Sequence, residues 1–452
     1  MTVLHASHAL TPAGWQADLR LTVAEGRFSA VEAGCAPQPG DTRVAVLVPG
    51  LPNLHSHAFQ RGMAGLAERR GPAADTFWTW RETMYRFALR MSPDEAEAVA
   101  AQAYVEMLES GFTRVGEFHY LHHAPDGAPY ANVAEMAERI AAAASLAGLR
   151  LTLLPVLYRR SNFGGIAPND GQRRFVSDLD LFARMVEASR AVVADLPGAT
   201  LGVAPHSLRA VTPDDLTAAV ALADGGPIHI HAAEQVREVE ECLAWSGARP
   251  VEWLLDHAGL DPRWCLIHAT HMTPDETARF AGSGAVAGLC PVTEASLGDG
   301  IFPAPDFVAA GGRYGVGTDS NVLVGAADEL RQLEYAQRLG HRQRNVLAAP
   351  GASTGRALFD AALAGGGQAL AAEGGGLAAG APADCVALAG ADPALIERSG
   401  DALLDGWIFA AGSRAVDAVW VAGRQVVAGG RHHAREAVGA RYAAVLGRLM
   451  AE

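Results

Sequence analysis

The 452-residue sequence predicts an α/β fold: a (β/α)8 TIM-like barrel with a small β-sandwich domain formed by both chain ends. Three observations predict it. Between about residues 48 and 365, eight short apolar or β-branched runs alternate with Ala-rich helical stretches, the texture of repeated βα units. Short alternating strands bounded by turn residues occur at both ends of the chain. Several of the eight central runs end on His, Glu or Asp, and the C-terminal ends of strands are where a parallel barrel carries its chemistry.

In chain order, residues 1–47 hold alternating segments at Leu19–Val23 and Arg27–Val31 and form the first part of the small domain. The barrel is expected over 48–365, with strands starting near Val46, Thr113, Leu151, Leu201, Ile228, Cys265, Ala285 and Tyr314. Helices such as Pro93–Leu108 and Ala131–Ala147 fit between them. The glycine-rich stretch Gly365–Gly380 reads as the connection back to the small domain. Residues 366–452 complete that domain with Ala383–Leu388, Ala418–Ala422 and a hairpin partner at Gly423–Val427, followed by a C-terminal helix.

Composition removes several classes of function. A formal net charge of -14 leaves no basic stripe for nucleic acid or an anionic membrane, so an acidic ligand must meet locally placed arginines. All 36 basic residues are Arg. Without lysine there is no Schiff base, no P-loop and no carbamylated lysine to bridge two metals. The five cysteines are scattered and never spaced C-x-x-C, which fits thiols in a reducing compartment. The N-terminus lacks a signal-peptide pattern and no long uncharged apolar run occurs, so a cytoplasmic location is expected.

The chemistry-bearing residues cluster at strand ends. His55 and His57, at i and i+2 on the first strand, project to one side and can share a metal. The fifth strand ends His229-Ile230-His231-Ala232-Ala233-Glu234, the sixth Leu266-Ile267-His268-Ala269-Thr270-His271, and the eighth Gly317-Thr318-Asp319-Ser320-Asn321. Together they offer the nitrogen and oxygen donors that suit zinc and similar ions. His229 and His231 lie on the same strand face and compete for one ligand position.

The order PG-x-x-N-x-H-x-H, H-x-x-E, a strand-six histidine and GTDSN resembles the amidohydrolase superfamily over nearly the whole chain. The resemblance implies that His55, His57, His231 and Asp319 hold one divalent metal per subunit, zinc in the first instance. It also implies that Glu234 shuttles protons and that His268 faces the substrate. Glu234, three residues beyond His231, favours His231 over His229, and the missing lysine agrees with a one-metal subclass. His122, His123 and His271 read as loop histidines.

Three longer segments, His57–Gly62, Phe77–Arg81 and Cys290–Gly300, are similar to the formimidoylglutamate deiminases, a family of histidine breakdown. Val292 and Ser296 stand where that family has Thr and Asn, at positions that are not ligands. This resemblance implies a pocket lined by Gln60, Arg81, Tyr120, His206 and Arg209, and catalysis by Glu234, His268 and Asp319. It further implies hydrolysis of N-formimino-L-glutamate to N-formyl-L-glutamate and ammonia, by a homodimer. Elementary chemistry agrees on the substrate class, because the planar forks of Arg209 and Arg81 suit two carboxylates. Trp78, Trp80 and Tyr85 read equally as core stripe or pocket wall. The rivals are a mononuclear deaminase of nucleobases or nucleosides, a dinuclear amidase and a non-catalytic scaffold with the same barrel. Nucleobases call for aromatic stacking, a dinuclear site for the missing lysine, and a scaffold for lost ligands.

Overall fold

The computed structural model describes residues 2–71 and 75–451. Eight parallel strands form a barrel: Leu51–Ser56, Phe112–His119, Arg150–Leu157, the broken strand Thr200–Leu201 with Ala204–Pro205, Ile228–Ala232, Trp264–His268, Val286–Leu289 and Arg313–Val316. Continuous pairing joins the first four and the last four. Parallel bridges Val203↔Ile228 and Ser56↔Asp319 close the ring between the two halves. Helices on the outside bury one face each. Pro93–Glu109 begins at a capping box in which the Ser92 hydroxyl and the Glu95 carboxylate satisfy each other's backbone N–H. Its neighbour runs Glu135–Ala147, four residues shorter at its start than expected, and ends on left-handed Gly148.

The first barrel strand differs from the expectation. The run near Val46 belongs to a separate strand, Thr42–Pro49, which pairs with Thr2–Thr11 and Cys385–Leu388 in the terminal sheet. The barrel strand starts at Leu51, after Gly50. A side chain at Gly50 would collide with Thr113, so glycine lets the chain pass from one sheet to the other beside the second barrel strand.

Both chain ends build one eight-stranded sheet in the order Arg431–His432, Arg424–Ala428, Val416–Val421, Cys385–Leu388, Thr42–Pro49, Thr2–Thr11, Gly14–Ala24, Arg27–Glu32. Alternation gives it two buried faces. Val46, Val48, Val386 and Leu388 face the barrel helices, while Leu47, Cys385, Leu21 and Phe28 fill a core of their own. The sheet curls until Arg27 bridges Pro382, enclosing that second core.

The glycine-rich stretch also differs from the expectation. Gly365, Gly366 and Gly367 are the last turns of a helix, Thr354–Ala369, and the connection begins only beyond it. A Cβ on Gly365 would fall on the carbonyl of Tyr314, and one on Gly366 would meet Pro52 at 2.6 Å, so glycine lets the helix lie directly on strands eight and one. Its end enters the barrel floor, where Ala369 and Leu370 pack with Leu54, Cys265, Ile267 and Val286. Among the described residues no helix is long and apolar enough to cross a membrane.

This packing predicts opposite effects at neighbouring positions. Gly365→Ala should lower stability by about 1–3 kcal/mol, the usual cost of overpacking, read as an earlier urea midpoint. Gly367→Ala, whose added methyl meets nothing within 4 Å, should be neutral or raise stability by up to about 1 kcal/mol.

Candidate active site

The site is built at the seam where the barrel closes. Asp319 N donates to His55 O at 2.9 Å and His57 N donates to Asp319 O at 2.9 Å, so both histidines and the aspartate share one backbone register. Gly317 makes the approach possible, since a Cβ there would stand 2.7 Å from the backbone N and O of His55. Asn53 locks the seam from the strand-one side, donating to Thr318 Oγ1 at 2.7 Å and accepting from Thr318 N at 3.0 Å. Asn321 locks it from the other, its amide donating to Ser56 Oγ at 3.1 Å and to His57 O at 3.2 Å.

The structure brings His55, His57, His231 and Asp319 together as one buried group whose donor atoms lie within 4.8 Å of one another. His55 Nε2 stands 3.2 Å from His231 Nε2 and 3.3 Å from Asp319 Oδ1, and His57 Nε2 stands 3.2 Å from the same oxygen. Ligands about 2.0–2.1 Å from a tetrahedral ion stand about 3.3–3.4 Å apart, so the spacing fits one ion. The tautomers fit as well. His57 Nδ1 bonds Phe118 O and His231 Nδ1 bonds His206 O, both at 3.0 Å, which leaves each Nε2 lone pair for a metal. Burial pulls His55 down to about 3 and His231 well below the ordinary range, keeping both rings neutral. His229, the rival on strand five, points to the barrel floor and bonds Ala369 O at 2.7 Å.

Glu234 and His268 flank this cluster, with His268 Nε2 3.7 Å from Glu234 and 4.0 Å from Asp319. Burial lowers the affinity of His268 for a proton, yet the carboxylates of Glu234, Glu294 and Asp319 outweigh it and raise its pKa. Burial raises Glu234 to about 7 against the pull of His268 and Arg209, the range suited to proton transfer near neutrality. Ala233, His268, Ala269, Asp319 and Asn321 all have positive φ, between 44° and 69°. That conformation is uncommon for residues with a Cβ, and its concentration at strand ends is a mark of functional sites.

The five substrate-binding candidates, Gln60, Arg81, Tyr120, His206 and Arg209, line one cavity together with His57, His231, Glu234, His268 and Asp319. Gln60 Nε2 donates to Tyr120 Oη at 2.8 Å. Arg209 is buried, and its nearest carboxylates, Glu238 and Glu234, stand off at 3.8 and 3.9 Å. The buried Nε atoms of both Arg81 and Arg209 lack a hydrogen-bond partner among the described residues. Arg81 lies 4.4 Å from the ring centre of Trp78. Tyr85 and Trp80 are cavity wall, whereas Trp78 serves as the platform under Arg81. His122 and His123 bond the carbonyls of Val156 and Val176 and stay outside the cavity. His271, which stays outside it too, packs beside Gly300. A larger cavity, lined by Pro52, Arg114 and Gly367, opens at the barrel's other end and holds none of these residues.

Several residues that build the site escaped sequence reasoning. Glu294 accepts from Cys290 N at 2.9 Å and bonds His268 Nδ1 at 3.2 Å, fixing that ring. Glu238 accepts from the backbone N–H groups of Ala233 and Glu234, both at 3.2 Å, and so holds the turn that presents Glu234. Tyr158 directly follows the third strand and enters the cavity. The rule that barrel chemistry sits at strand ends would have found it.

A family model described as amidohydrolase family matches residues 46–426. A second, described as the N-terminal domain of formimidoylglutamate deiminase HutF, matches residues 1–45. The chain is 50% identical to formimidoylglutamate deiminase of Pseudomonas aeruginosa, covering 100% of both chains. It is 29% identical to 5-methylthioadenosine/S-adenosylhomocysteine deaminase of Natronomonas pharaonis, over 76% of this chain and 73% of the other. Among solved structures, an amidohydrolase from Brucella melitensis superposes with a TM-score of 0.97 at 58% identity, covering 100% of each chain. An adenosine deaminase from Xanthomonas campestris shares the fold, with a TM-score of 0.83 at 22% identity over 100% of this chain and 99% of the other. A full-length match at half identity, with both family models falling on the seam and sheet just described, has one reading: the chain belongs to the amidohydrolase family, among the formimidoylglutamate deiminases.

Proposed function

We propose that the protein hydrolyses N-formimino-L-glutamate to N-formyl-L-glutamate and ammonia in histidine degradation, as a cytoplasmic homodimer holding one zinc ion per chain. The observation that carries the reading is one cavity that joins three of the four cluster residues, His57, His231 and Asp319, to two arginines whose Nε atoms lack hydrogen-bond partners among the described residues. Leaving such groups unpaired costs stability, so their natural complement is a carboxylate. The mixed imidazole and carboxylate set suits zinc, and the chain has no lysine to bridge a second ion. Five unpaired cysteines fit a reducing compartment.

His55, His57, His231 and Asp319 would hold the ion, which when bound would lower the pKa of water to about 7, as hydrolysis at neutral pH requires. In this reading Arg209 and Arg81 hold the two carboxylates, and Gln60, Tyr120 and His206 pack around the formimino group. Glu234 delivers a proton to the imino nitrogen. Charged His268 stabilises the electron density that develops as water adds to the formimino carbon. Asp319 carries a proton from the attacking water to the departing nitrogen. One water enters, one ammonia leaves, and the C=N bond becomes C=O.

The test is ammonia release from a panel of N-formimino amino acids, guanine, cytosine and adenosine derivatives. N-formimino-L-glutamate should lead the panel, with N-formimino-glycine far behind because one arginine is left desolvated and unpaired. A nucleobase at the head of the panel would leave only the hydrolase assignment standing. Glu234→Gln should keep its metal, by elemental analysis, and lose most turnover; metal lost along with activity would make Glu234 a ligand. Arg209→Ala should keep its metal and lower kcat/KM for the diacid by roughly 30-fold to several thousand-fold, the consequence of losing about 2–5 kcal/mol from a desolvated charge pair.

A further inference from the structure

Two tyrosines in the cavity are unaccounted for by the proposed roles, and one buried glutamine governs both. Gln172 closes a short turn, Asp170–Gln172, between the third barrel strand and the next long helix, and its side chain is fully buried. Its Oε1 accepts the backbone N–H of Asn169 at 2.9 Å. That contact fixes which way the amide faces, because only the oxygen can accept. Nε2 and its two hydrogens are therefore turned toward the cavity, 2.7 Å from Tyr158 Oη and 3.3 Å from Tyr85 Oη.

A phenol oxygen has one hydrogen and can accept as well as donate. Where Gln172 donates to both oxygens, neither tyrosine can point its hydrogen at the amide. If one hydroxyl passes its hydrogen to the other, at least one hydrogen still faces the cavity. Burial raises Tyr158 far above neutrality, against the pull of Arg81 and Arg209, so the phenol stays a donor. The direction matters here. Arg81 Cζ lies 5.5 Å from the Tyr85 ring centre, and both tyrosines line the cavity that holds Arg209. An anion drawn in by the guanidinium groups would be repelled by phenol lone pairs and bound by phenol hydrogens.

We propose that Gln172 is a positioning residue that holds the Tyr158 and Tyr85 hydroxyls as hydrogen-bond donors to a substrate carboxylate lying beside Arg81 and Arg209. The inference rests on the dicarboxylate reading above. It assigns to the site a neutral pair of donors, fixed before substrate arrives, in addition to the two cations. Preset donors of this kind need no reorganisation when the anion binds.

The test is a mutant cycle on the zinc-loaded enzyme, with kcat and KM measured separately for N-formimino-L-glutamate. Gln172→Met removes the amide at similar size and should raise KM about tenfold or more, with kcat within about twofold, as expected when the two hydroxyls are free to turn their hydrogens away from the anion. Tyr85→Phe/Tyr158→Phe should do the same. In that double-Phe background Gln172→Met should have no further effect, because it acts only through the two hydroxyls. An equal effect of Gln172→Met in both backgrounds, or a fall in kcat with KM unchanged, assigns Gln172 a merely structural role and overturns the proposal. If Gln172→Met does not fold, the double-Phe variant decides alone: a KM equal to the parent's overturns the proposal. A parent enzyme inactive on N-formimino-L-glutamate overturns the functional reading along with it, whereas an active parent with variants of normal KM overturns this inference only.

Discussion

The backbone pairing between His55, His57 and Asp319 is the interaction on which the rest of the molecule depends. It closes the barrel and sets three of the four metal-ligand candidates in register by the same two hydrogen bonds. Strand periodicity makes the arrangement intolerant of error, because a slip of one residue would turn both imidazoles to the opposite face. The surrounding side chains act to prevent that slip. Gly317 permits the close approach, and the amides of Asn53 and Asn321 tie the seam together from its two sides. From the floor, the glycine face of Thr354–Ala369 presses on the same two strands and seals the barrel beneath the site.

Electrostatics is organised around this seam on two scales. The chain as a whole is strongly acidic, with a net charge of -14, which alone would repel a dicarboxylate. Within the cavity the balance is reversed locally by Arg81 and Arg209, held against Trp78 and by the more distant carboxylates of Glu234 and Glu238. Buried histidines are sorted by their neighbours. Burial drives His55 neutral against the pull of Asp319 beside it, and burial together with the neighbouring imidazoles does the same to His231, leaving both in the state that binds a metal. His268 sees three carboxylates and is driven toward the charged state, the state that can stabilise negative charge in a transition state.

What was legible in the sequence follows from how local the governing physics is. The i, i+2 spacing of His55 and His57, and strand ends bearing His231, His268 and Asp319, can be read from a few residues at a time. So could the barrel, from its alternating runs. The boundary at Gly50 was not legible, since the run around Val46 looks like a barrel strand until its partners, Thr2–Thr11 and Cys385–Leu388, are known. Gly365–Gly367 resembles a loop by composition and is helical because of what it packs against. Asn53 and Asn321 belong to motifs quoted from the sequence, but their partners lie some 265 residues away along the chain, so their bracing role emerges only on folding. Gln172 carries no motif at all; its role lies in an amide orientation fixed by a single backbone contact.

If the seam is a metal centre, it holds one ion and turnover depends on it. The most direct measurement is a zinc titration of the metal-free protein, with bound metal and ammonia release from N-formimino-L-glutamate followed together. Activity should be absent at the start, rise in proportion to zinc and level off at one equivalent per chain. Turnover by the metal-free chain, or activity that continues to rise to two equivalents, would rule out a catalytic site of one ion.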